Sequence, residues 1–351
     1  MTDRFVRIIA DDLTGALDTS APFASPKRPM RVLVGTRPRM TDVDLAGVST
    51  SSESRDVPWR QAKTRVQAAF ERLSAVPGPA GSTPVYFAKV DSVLRGHPFR
   101  ETQLRCALWH TEHCLFAPAF PDMGRRTVEG YHQILKDDCW QNTMADCLVD
   151  CFERIGTSAR LRREADRWPL TNTGFVIGDA TSSAGLRAHV QAVDSIDSLV
   201  WAGSRGLAEA LAGPPRPLSP PRLSHVLIGT RHTVTQTQIE YARRAGLWDR
   251  IALTNPAVDT SDADQTRAHI VAASERLDPS HEQGLLISGG DTLSWICTAL
   301  DVDSLYCEGE IVSGLPLSRI EGGPLDGLSV VTKSGGFGRS SVLLDILDRN
   351  R

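Results

Sequence analysis

The sequence predicts an α/β protein with two domains, each a mostly parallel sheet flanked by helices. Short apolar segments rich in β-branched residues alternate with longer polar segments of helical periodicity, which is typical of parallel sheets. The chain has 351 residues, more than one ordinary core accommodates. A proline-rich segment, residues 212–222, interrupts the alternation. Together these observations predict two domains of the same class.

Several segments are predicted as strands because they are short, apolar and bounded by turn residues. They are VRIIA, RVLVG, VYFAKV, CLFAPAF, GFVIGD, SLVWAG, HVLIGT, GLLISGG and LSVVTKSG. Residues 59–75, 233–246 and 262–277 are predicted as helices. In such sheets ligands bind beyond the carboxyl ends of the strands, so polar residues directly after strands are the candidates for function.

The domain boundary is predicted at residues 213–222, a semi-rigid linker, because proline fixes φ and lacks an amide donor. The linker leaves an N-terminal domain of residues 1–212 and a C-terminal domain of residues 223–351. Both lengths fall within the usual range for a domain.

Composition narrows the classes of partner. Hydrophobic residues make up 41% of the chain, charged residues 23%, and the formal net charge is −3. This charge gives no electrostatic basis for binding nucleic acid or an anionic membrane. The sequence shows neither an apolar run that could span a bilayer nor a signal-type apolar core at its N-terminus. Seven scattered cysteines without a CxxC pair indicate a reducing compartment, and we expect a cytoplasmic protein.

Two adjacent aspartates, Asp11 and Asp12, follow the first predicted strand. Ionised carboxylates repel each other and resist burial without a partner. One interpretation is that one aspartate caps the next helix while the other is solvated. The other interpretation is a polar cluster that binds a substrate or a cation.

The segment KVDSVLRGH, residues 89–97, places basic and acidic side chains at the end of another strand. Alternation along the strand puts Lys89 and Asp91 on the same side. Lysine and arginine can bind a carboxylate, and an aspartate can take a proton from a hydroxyl. A surface ion-pair set is the alternative. Arg55 follows a further predicted strand, in a loop that alone indicates nothing specific.

The loop at residues 117–132 is punctuated by proline and glycine and carries Arg125 and Arg126. We expect it at the same edge of the sheet, where loops often carry binding residues. His97 and His132 lie near these motifs. A single histidine is more often structural than catalytic, so neither is assigned a role.

Two paired-glycine turns, ISGGDT and VTKSGGFG, follow strands in the C-terminal half. Paired glycines let a backbone approach a ligand closely, and amides at a helix N-terminus suit phosphate oxygens. Turns that merely close βα connections are the alternative. The chain has no Walker A motif and no GxGxxG after the first strand, which disfavours an enzyme with a dinucleotide cofactor.

In their order along the chain, these segments resemble the four-carbon acid sugar kinase family. The resemblance is carried by IADDLTGALDTSAPFA, SESR, KVDSVLRGH with Glu101 following, APAFPDMGRRTVEGYH, GTRHTVTQTQI, SGGDT, EIVSGLP and VTKSGGFG. It implies an N-terminal sugar-acid-binding domain, a C-terminal nucleotide-binding domain and an active site in the interdomain cleft. Such kinases use ATP to phosphorylate the terminal hydroxyl of threonate, erythronate or their 3-oxo forms.

The resemblance also implies site residues. The sugar acid would contact Asp12, Arg55, Lys89, Val90, Asp91 and Ser92, and the residues themselves suggest Asp11 and Arg95 in addition. ATP would contact Gly229, Thr230, Gly289, Gly290, Asp291, Thr292, Gly335 and Gly336, and the residues themselves suggest Lys333 as an added positive charge.

We expect the basic residues of the first set to neutralise the substrate carboxylate, and Asp12 or Asp91 to orient the attacking hydroxyl and accept its proton. The glycine turns and Lys333 would hold the ATP phosphates, with Mg²⁺ bridging phosphate oxygens. A non-catalytic binding or regulatory protein that retains the fold is the alternative.

The sequence departs from the family pattern at Val93, His97 and Thr230, and residues 131–179 form a shorter stretch than is usual. These departures leave the identity of the sugar acid open. The sequence also leaves the oligomeric state open, a homo-oligomer included.

Overall fold

The computed structural model describes residues 4–35, 42–170, 174–193, 195, 197, 199–213, 217–249, 251–256, 262–281 and 284–347. Part of the predicted linker, residues 214–216, lies outside the described residues. Among the residues that are described, no helix is long and apolar enough to cross a membrane.

The elements follow one another in the alternation that the sequence predicts. The strands are β1 (Arg4–Ala10), β2 (Met30–Leu33), β3 (Gly47–Ser51), β4 (Thr83–Lys89), β5 (Cys114–Ala117), β6 (Arg125–Val128), β7 (Tyr131–Lys136), β8 (Cys139–Asn142), β9 (Ala159–Arg162), β10 (Phe175–Gly178), β11 (Val200–Gly203), β12 (His225–Ile228), β13 (Ala252–Thr254), β14 (Leu285–Ser288), β15 (Ser304–Glu310), β16 (Pro316–Glu321) and β17 (Ser329–Lys333). The helices are α1 (Leu13–Ser20), α2 (Trp59–Ser74), α3 (Pro98–Leu108), α4 (Leu148–Glu153), α5 (Ser183–Gln191), α6 (Arg205–Ala212), α7 (Thr233–Arg244), α8 (Ala263–Ser274), α9 (Gly290–Ala299) and α10 (Val342–Leu347).

The chain forms two compact units. The first comprises Met1–Phe23 and Leu45–Pro215, and the second comprises Ala24–Asp44 and Arg216–Arg351. This division differs from the single boundary expected after residue 212. The segment Ala24–Asp44 belongs to the second unit, to which it contributes β2. There β2 pairs antiparallel with β15. This long-range pairing is not visible in the local sequence.

The sheet of the first unit is parallel throughout its described strands. Their order is β9, β10, β5, β11, β4, β1 and β3. The central strands are buried on both faces, and Ile8, Phe87 and Phe116 are fully inaccessible to solvent. Helices covering both faces account for these continuous apolar runs.

The sheet of the second unit is mixed. β13, β12, β14 and β17 lie side by side in parallel. β16, β15 and β2 continue the sheet in antiparallel pairing. The predicted α/β class with mostly parallel sheets is confirmed, although the antiparallel strands were not predicted.

A small antiparallel sheet of β6, β7 and β8 belongs to the first unit. It follows the loop at Pro121–Met123 and is joined to the main body by a bridge between Thr127 and Ala180. The sheet carries the Arg125–Arg126 pair, which the sequence analysis expected in a loop.

Candidate functional site

The carboxyl ends of three neighbouring strands bring the predicted sugar-acid residues together. Asp11 and Asp12 follow β1, Arg55 lies just beyond β3, and Lys89 ends β4. β1 pairs in parallel with β3 on one side and with β4 on the other. Parallel pairing places all three strand ends at one edge of the sheet, where ligands bind in α/β folds.

Asp12 is the N-cap of α1. Its Oδ1 accepts a hydrogen bond from the Gly15 amide at 2.9 Å, and its Oδ2 accepts one from Thr14 Oγ1 at 2.7 Å. Arg55 donates to both oxygens, from Nη2 at 2.7 Å and from Nη1 at 2.9 Å. These four donors occupy the lone pairs of the carboxylate. Asp12 therefore caps its helix, as one interpretation of the sequence held, and has no capacity left for a substrate hydroxyl.

Arg55 links the aspartates to one another. Its Nε donates to Asp11 Oδ2 at 2.7 Å, and its Nη2 lies 3.7 Å from Asp91 Oδ1 in addition to the bonds with Asp12. Burial would lower the pKa of Arg55, but the carboxylates around it raise that pKa overall. A guanidinium already engaged by two carboxylates is poorly placed to receive a third from a substrate. Arg55 thus holds Asp11 and Asp12 in place, and its predicted contact with the sugar acid stays a prediction.

Asp91 keeps one carboxylate oxygen accessible to a further donor. Its Oδ2 accepts from the amides of Val93 at 3.1 Å and Arg95 at 3.2 Å and from Arg95 Nε at 3.0 Å. Among the described residues, its Oδ1 accepts at hydrogen-bond distance only from Arg95 Nη2, at 2.7 Å. Burial would raise the pKa of Asp91, but hydrogen bonds from Arg95 and the charges of Arg55 and Lys89 hold it well below its usual range. The group is therefore ionised at neutral pH.

Lys89 and Asp11 form a buried pair with unused hydrogen-bonding capacity. Lys89 Nζ lies 3.6 Å from Asp11 Oδ1, and both residues are buried. Within the described residues neither of these two atoms has a hydrogen-bond partner. A Cβ at Gly15 would lie 2.8 Å from Lys89 Nζ, so the glycine leaves room for the ammonium beside α1. The pair is a candidate for binding substrate oxygens.

The remaining residues of this predicted set have mainly structural contacts. Val90 is buried and its amide donates to the carbonyl of Gly203 at 3.0 Å. The Ser92 carbonyl accepts a hydrogen bond from His132 Nε2 at 2.8 Å. The side chain of Arg95 is 62% exposed and is paired with Asp91.

The sequence analysis assigned no role to Glu101 and Arg105. These two residues form an ion pair that contacts the last residue of β4. Arg105 Nη1 donates to the Lys89 carbonyl at 2.9 Å, and Arg105 Nη2 lies 2.5 Å from Glu101 Oε2. Both residues are fully buried. Glu101 follows KVDSVLRGH in the family resemblance without an assigned role, and the spacing of an acid and a base by four residues is common on helix surfaces.

His132 fastens the small sheet to the site and should make stability depend on pH. It is fully buried, its Nδ1 lies 3.1 Å from Thr127 Oγ1, and burial lowers its pKa to about 4. The unfolded chain protonates this histidine near pH 6.5. The stability that neutral His132 contributes is thus complete above about pH 6.5 and is lost as the pH falls toward 4, by about 3 kcal/mol.

We expect His132→Gln to lose less stability than the wild type between pH 7 and pH 4.5, by about 2–3 kcal/mol. Urea denaturation followed by tryptophan fluorescence measures the difference. His281→Gln, at an exposed histidine, is the matched control. Equal pH dependence in the wild type and His132→Gln would contradict the assignment.

The second predicted site lies at the carboxyl ends of β12 and β14, which pair in parallel. A pocket of about 250 Å³ opens there. Its wall consists of Gly229, Thr230, Arg231, Ala263, Thr266, Gly289, Gly290, Asp291, Thr292 and Trp295. The predicted nucleotide contacts that follow β12 and β14 are all in this wall, whereas those that follow β17, namely Lys333, Gly335 and Gly336, are not. Thr266 and Trp295 were not predicted, because they lie within helices and no motif marks them.

The glycines of this pocket permit a close approach of backbone and side chain. Gly289 has φ +114° and is the N-cap of α9. A Cβ there would lie 2.7 Å from Thr292 Oγ1, and a Cβ at Gly229 would lie 2.5 Å from the same atom. The N-terminus of α9 consequently borders the pocket, an arrangement that favours an anion such as a phosphate.

The glycines after β17 lie against the same turn. A Cβ at Gly335 would lie 2.6 Å from Thr230 Oγ1. Within the described residues, the amides of Gly335 and Gly336 make no hydrogen bond. Two successive unpaired amides suit an anion.

Lys333 does not face the pocket as the sequence predicted. It is buried, and its Nζ donates to Thr235 Oγ1 at 2.9 Å and to the carbonyls of Ser334, Gly335 and Phe337 at 3.0–3.3 Å. Burial lowers the pKa of Lys333 to about 7, whereas these oxygens favour the ammonium. Gln238 Nε2 donates to the next carbonyls of the loop, Gly338 and Arg339. Lys333 thus shapes the glycine loop from inside.

The described residues contain no group of three or more His, Cys, Asp or Glu side chains that could hold a metal ion. Mg²⁺ in kinases is commonly held by one or two carboxylates together with substrate phosphates, so a protein cage is not required. The Asp291 carboxylate, in the first turn of α9, is the acidic side chain in the pocket wall and fits that donor chemistry.

Comparison with known proteins matches the chain to a sugar-binding and a nucleotide-binding domain. Residues 6–149 match a family model described as a sugar-binding N-terminal domain, and residues 257–343 match one described as a nucleotide-binding C-terminal domain. The chain is 27% identical over 395 residues to a D-threonate kinase of Bordetella bronchiseptica, covering 97% of this chain and 96% of that protein. It is 28% identical over 404 residues to a D-threonate kinase of Cupriavidus necator, covering 96% and 95%.

The fold is shared with a solved structure. A crystal structure of a protein from Salmonella typhimurium LT2 superposes with a TM-score of 0.75 and covers 98% of both chains. The two sequences are 19% identical, so this likeness shows the fold alone.

Proposed function

Because the chain belongs to the four-carbon acid sugar kinase family and is a sugar-acid kinase, we propose that it transfers the γ-phosphoryl group of ATP to the terminal hydroxyl of a small sugar acid. Threonate is the first substrate to test, since it is the substrate named for the curated relatives. The observation that carries the proposal is the pair of sites at strand ends. One offers unsatisfied carboxylate and ammonium groups, and the other offers unsatisfied amides beside a helix N-terminus.

In the first unit, the proposal divides the work among the clustered charges. Asp91 Oδ1 accepts the hydrogen bond of the attacking hydroxyl, because it is the oxygen of Asp91 with spare capacity. Lys89 and Asp11 bind other substrate oxygens through their unused donors and acceptor. Arg55 and Asp12 hold this arrangement in place. Phosphoryl transfer requires mainly positioning and charge neutralisation, so a weakly basic, fully ionised carboxylate is adequate.

In the second unit, the N-terminus of α9 and the amides of Gly335 and Gly336 bind the phosphates of ATP. Thr230 lies between these two elements, as its close contacts with both glycine turns require. Asp291 would help to hold Mg²⁺, which when bound neutralises phosphate charge. Lys333 contributes by keeping the carbonyls of the glycine loop turned inward.

The proposal is tested by coupling ATP consumption to product formation with D-threonate, L-threonate, D-erythronate and their 3-oxo forms. We expect at least one acid to give ATP-dependent phosphorylation. Binding of acid and ATP by calorimetry without any turnover would instead support the alternative, a non-catalytic binding protein. Binding of NAD(P) rather than ATP would contradict the nucleotide assignment.

A further inference from the structure

Arg125, at the start of β6, is a cation that the described residues leave without an ion pair. No carboxylate of the described chain lies within 4 Å of its guanidinium nitrogens, and its Nε is buried without a hydrogen-bond partner. Its Nη1 donates to the Met123 carbonyl. A guanidinium with buried, unused donors is costly unless a ligand or water completes it.

The register of the small sheet turns Arg125 toward the charged cluster at the strand ends. This cluster comprises Asp11, Asp12, Arg55, Lys89, Asp91 and Arg95. Arg125 pairs with Ile134, and Thr127 pairs with His132, so these four side chains share one face of the sheet. On that face His132 Nε2 donates to the Ser92 carbonyl at 2.8 Å. Arg125 is therefore on the face that contacts the segment at residues 91–95.

The electrostatics agree with this orientation. Burial lowers the pKa of Arg125, the charge of Asp91 raises it, and the charge of Arg95 lowers it. Asp91 and Arg95 are thus close enough to Arg125 for their charges to act on it.

The charge balance of the cluster leaves room for one anion. Its three carboxylates, on Asp11, Asp12 and Asp91, are matched by the three cations that contact them, Arg55, Lys89 and Arg95. Arg125 is a fourth cation, and no carboxylate of the described ranges forms an ion pair with it. A monocarboxylate substrate would restore neutrality, and a guanidinium offers it a planar pair of donors.

We propose that Arg125 binds the carboxylate of the sugar acid and is the residue by which the site selects an acid over the corresponding neutral polyol. The inference rests on the proposed function for the identity of the ligand. In this proposal the substrate carboxylate is bound by Arg125, and not by Arg55 as the sequence analysis expected.

The test compares the wild type with Arg125→Gln, Arg125→Lys and a matched control, Arg126→Gln. Arg126 is adjacent in sequence but on the opposite face, where its Nε donates to Gln133 and its guanidinium lies 3.9 Å from the Trp140 ring centroid. The probes are threonate and erythronate, and threitol as a neutral substrate or competitive inhibitor.

We expect Arg125→Gln to raise the KM for the acid about 10- to 100-fold and to leave kcat within about threefold, because the carboxylate is bound alike in ground and transition states. The KM for ATP and the affinity for threitol should not change. Arg125→Lys should be intermediate, because a lysine lacks the planar pair of donors. Arg126→Gln should behave as the wild type.

An unchanged KM in Arg125→Gln would overturn the inference, and so would equal losses for acid and threitol or an equal effect of Arg126→Gln. Calorimetric titration of threonate and erythronate without ATP is run on the same proteins. If the wild type binds an acid but does not turn it over, the proposed function fails, while the affinity of Arg125→Gln still decides the inference. If the wild type binds neither acid, both fail.

Discussion

Asp91→Asn is expected to lower kcat by about two to four orders of magnitude while leaving the KM for ATP near its wild-type value. The substitution keeps an oxygen that can accept from the amides of Val93 and Arg95, but it removes the charge. An amide group placed at the position of Oδ1 donates instead of accepting and cannot orient the attacking hydroxyl. Steady-state kinetics with saturating sugar acid, together with a thermal unfolding curve, measures the effect.

Two variants separate the role of Asp91 from those of its neighbours. Arg95→Gln removes the ion pair but retains the carboxylate, so its kcat should fall far less than that of Asp91→Asn. Asp12→Asn keeps an N-cap oxygen for the Gly15 amide, and its main expected effect is on stability through the loss of charge opposite Arg55. If Asp12→Asn lost as much kcat as Asp91→Asn at unchanged stability, Asp12 would be the base.

Much of the fold could be predicted from local sequence, because the buried parallel strands and the long amphipathic helices have strong periodic signals. β15 and β16 were missed, since SLYCEGE and PLSRIE mix polar residues into their strands and lack a continuous apolar run. The assignment of β2 to the second unit depends on a partner more than 270 residues away, since Met30 pairs with Cys307. No local pattern encodes such a pairing.

The sequence predicted which residues gather at the strand ends, but not which of them are already engaged by one another. Asp12, Arg55 and Lys333 have the right chemistry for substrate, carboxylate and phosphate, respectively. Their hydrogen bonds to protein atoms become visible only in three dimensions. Arg125 illustrates the converse, because residue type and motif suggested a binding loop, while only the strand register shows which of two adjacent arginines faces the cluster.

Gly289→Ala is expected to weaken ATP binding about 100-fold or more. The backbone at this position has φ +114°, which is strained for any side chain. The added Cβ would also lie 2.7 Å from Thr292 Oγ1, so either the turn or the first turn of α9 must shift. Both form the wall of the pocket at which the phosphates are proposed to bind. Isothermal titration with ATP measures the affinity.

Gly327→Ala is the matched control for that experiment. Gly327 has φ +82°, and a Cβ there would meet no atom within 4 Å, so the variant carries the backbone strain without the collision. It lies in the same unit, in the turn before β17. We expect Gly327→Ala to lose stability but to retain its affinity for ATP, and Gly289→Ala to lose affinity. Equal ATP affinity in Gly289→Ala and the wild type would place the nucleotide elsewhere. An equal loss of ATP affinity in the two alanine variants would attribute the effect to unfolding of the second unit.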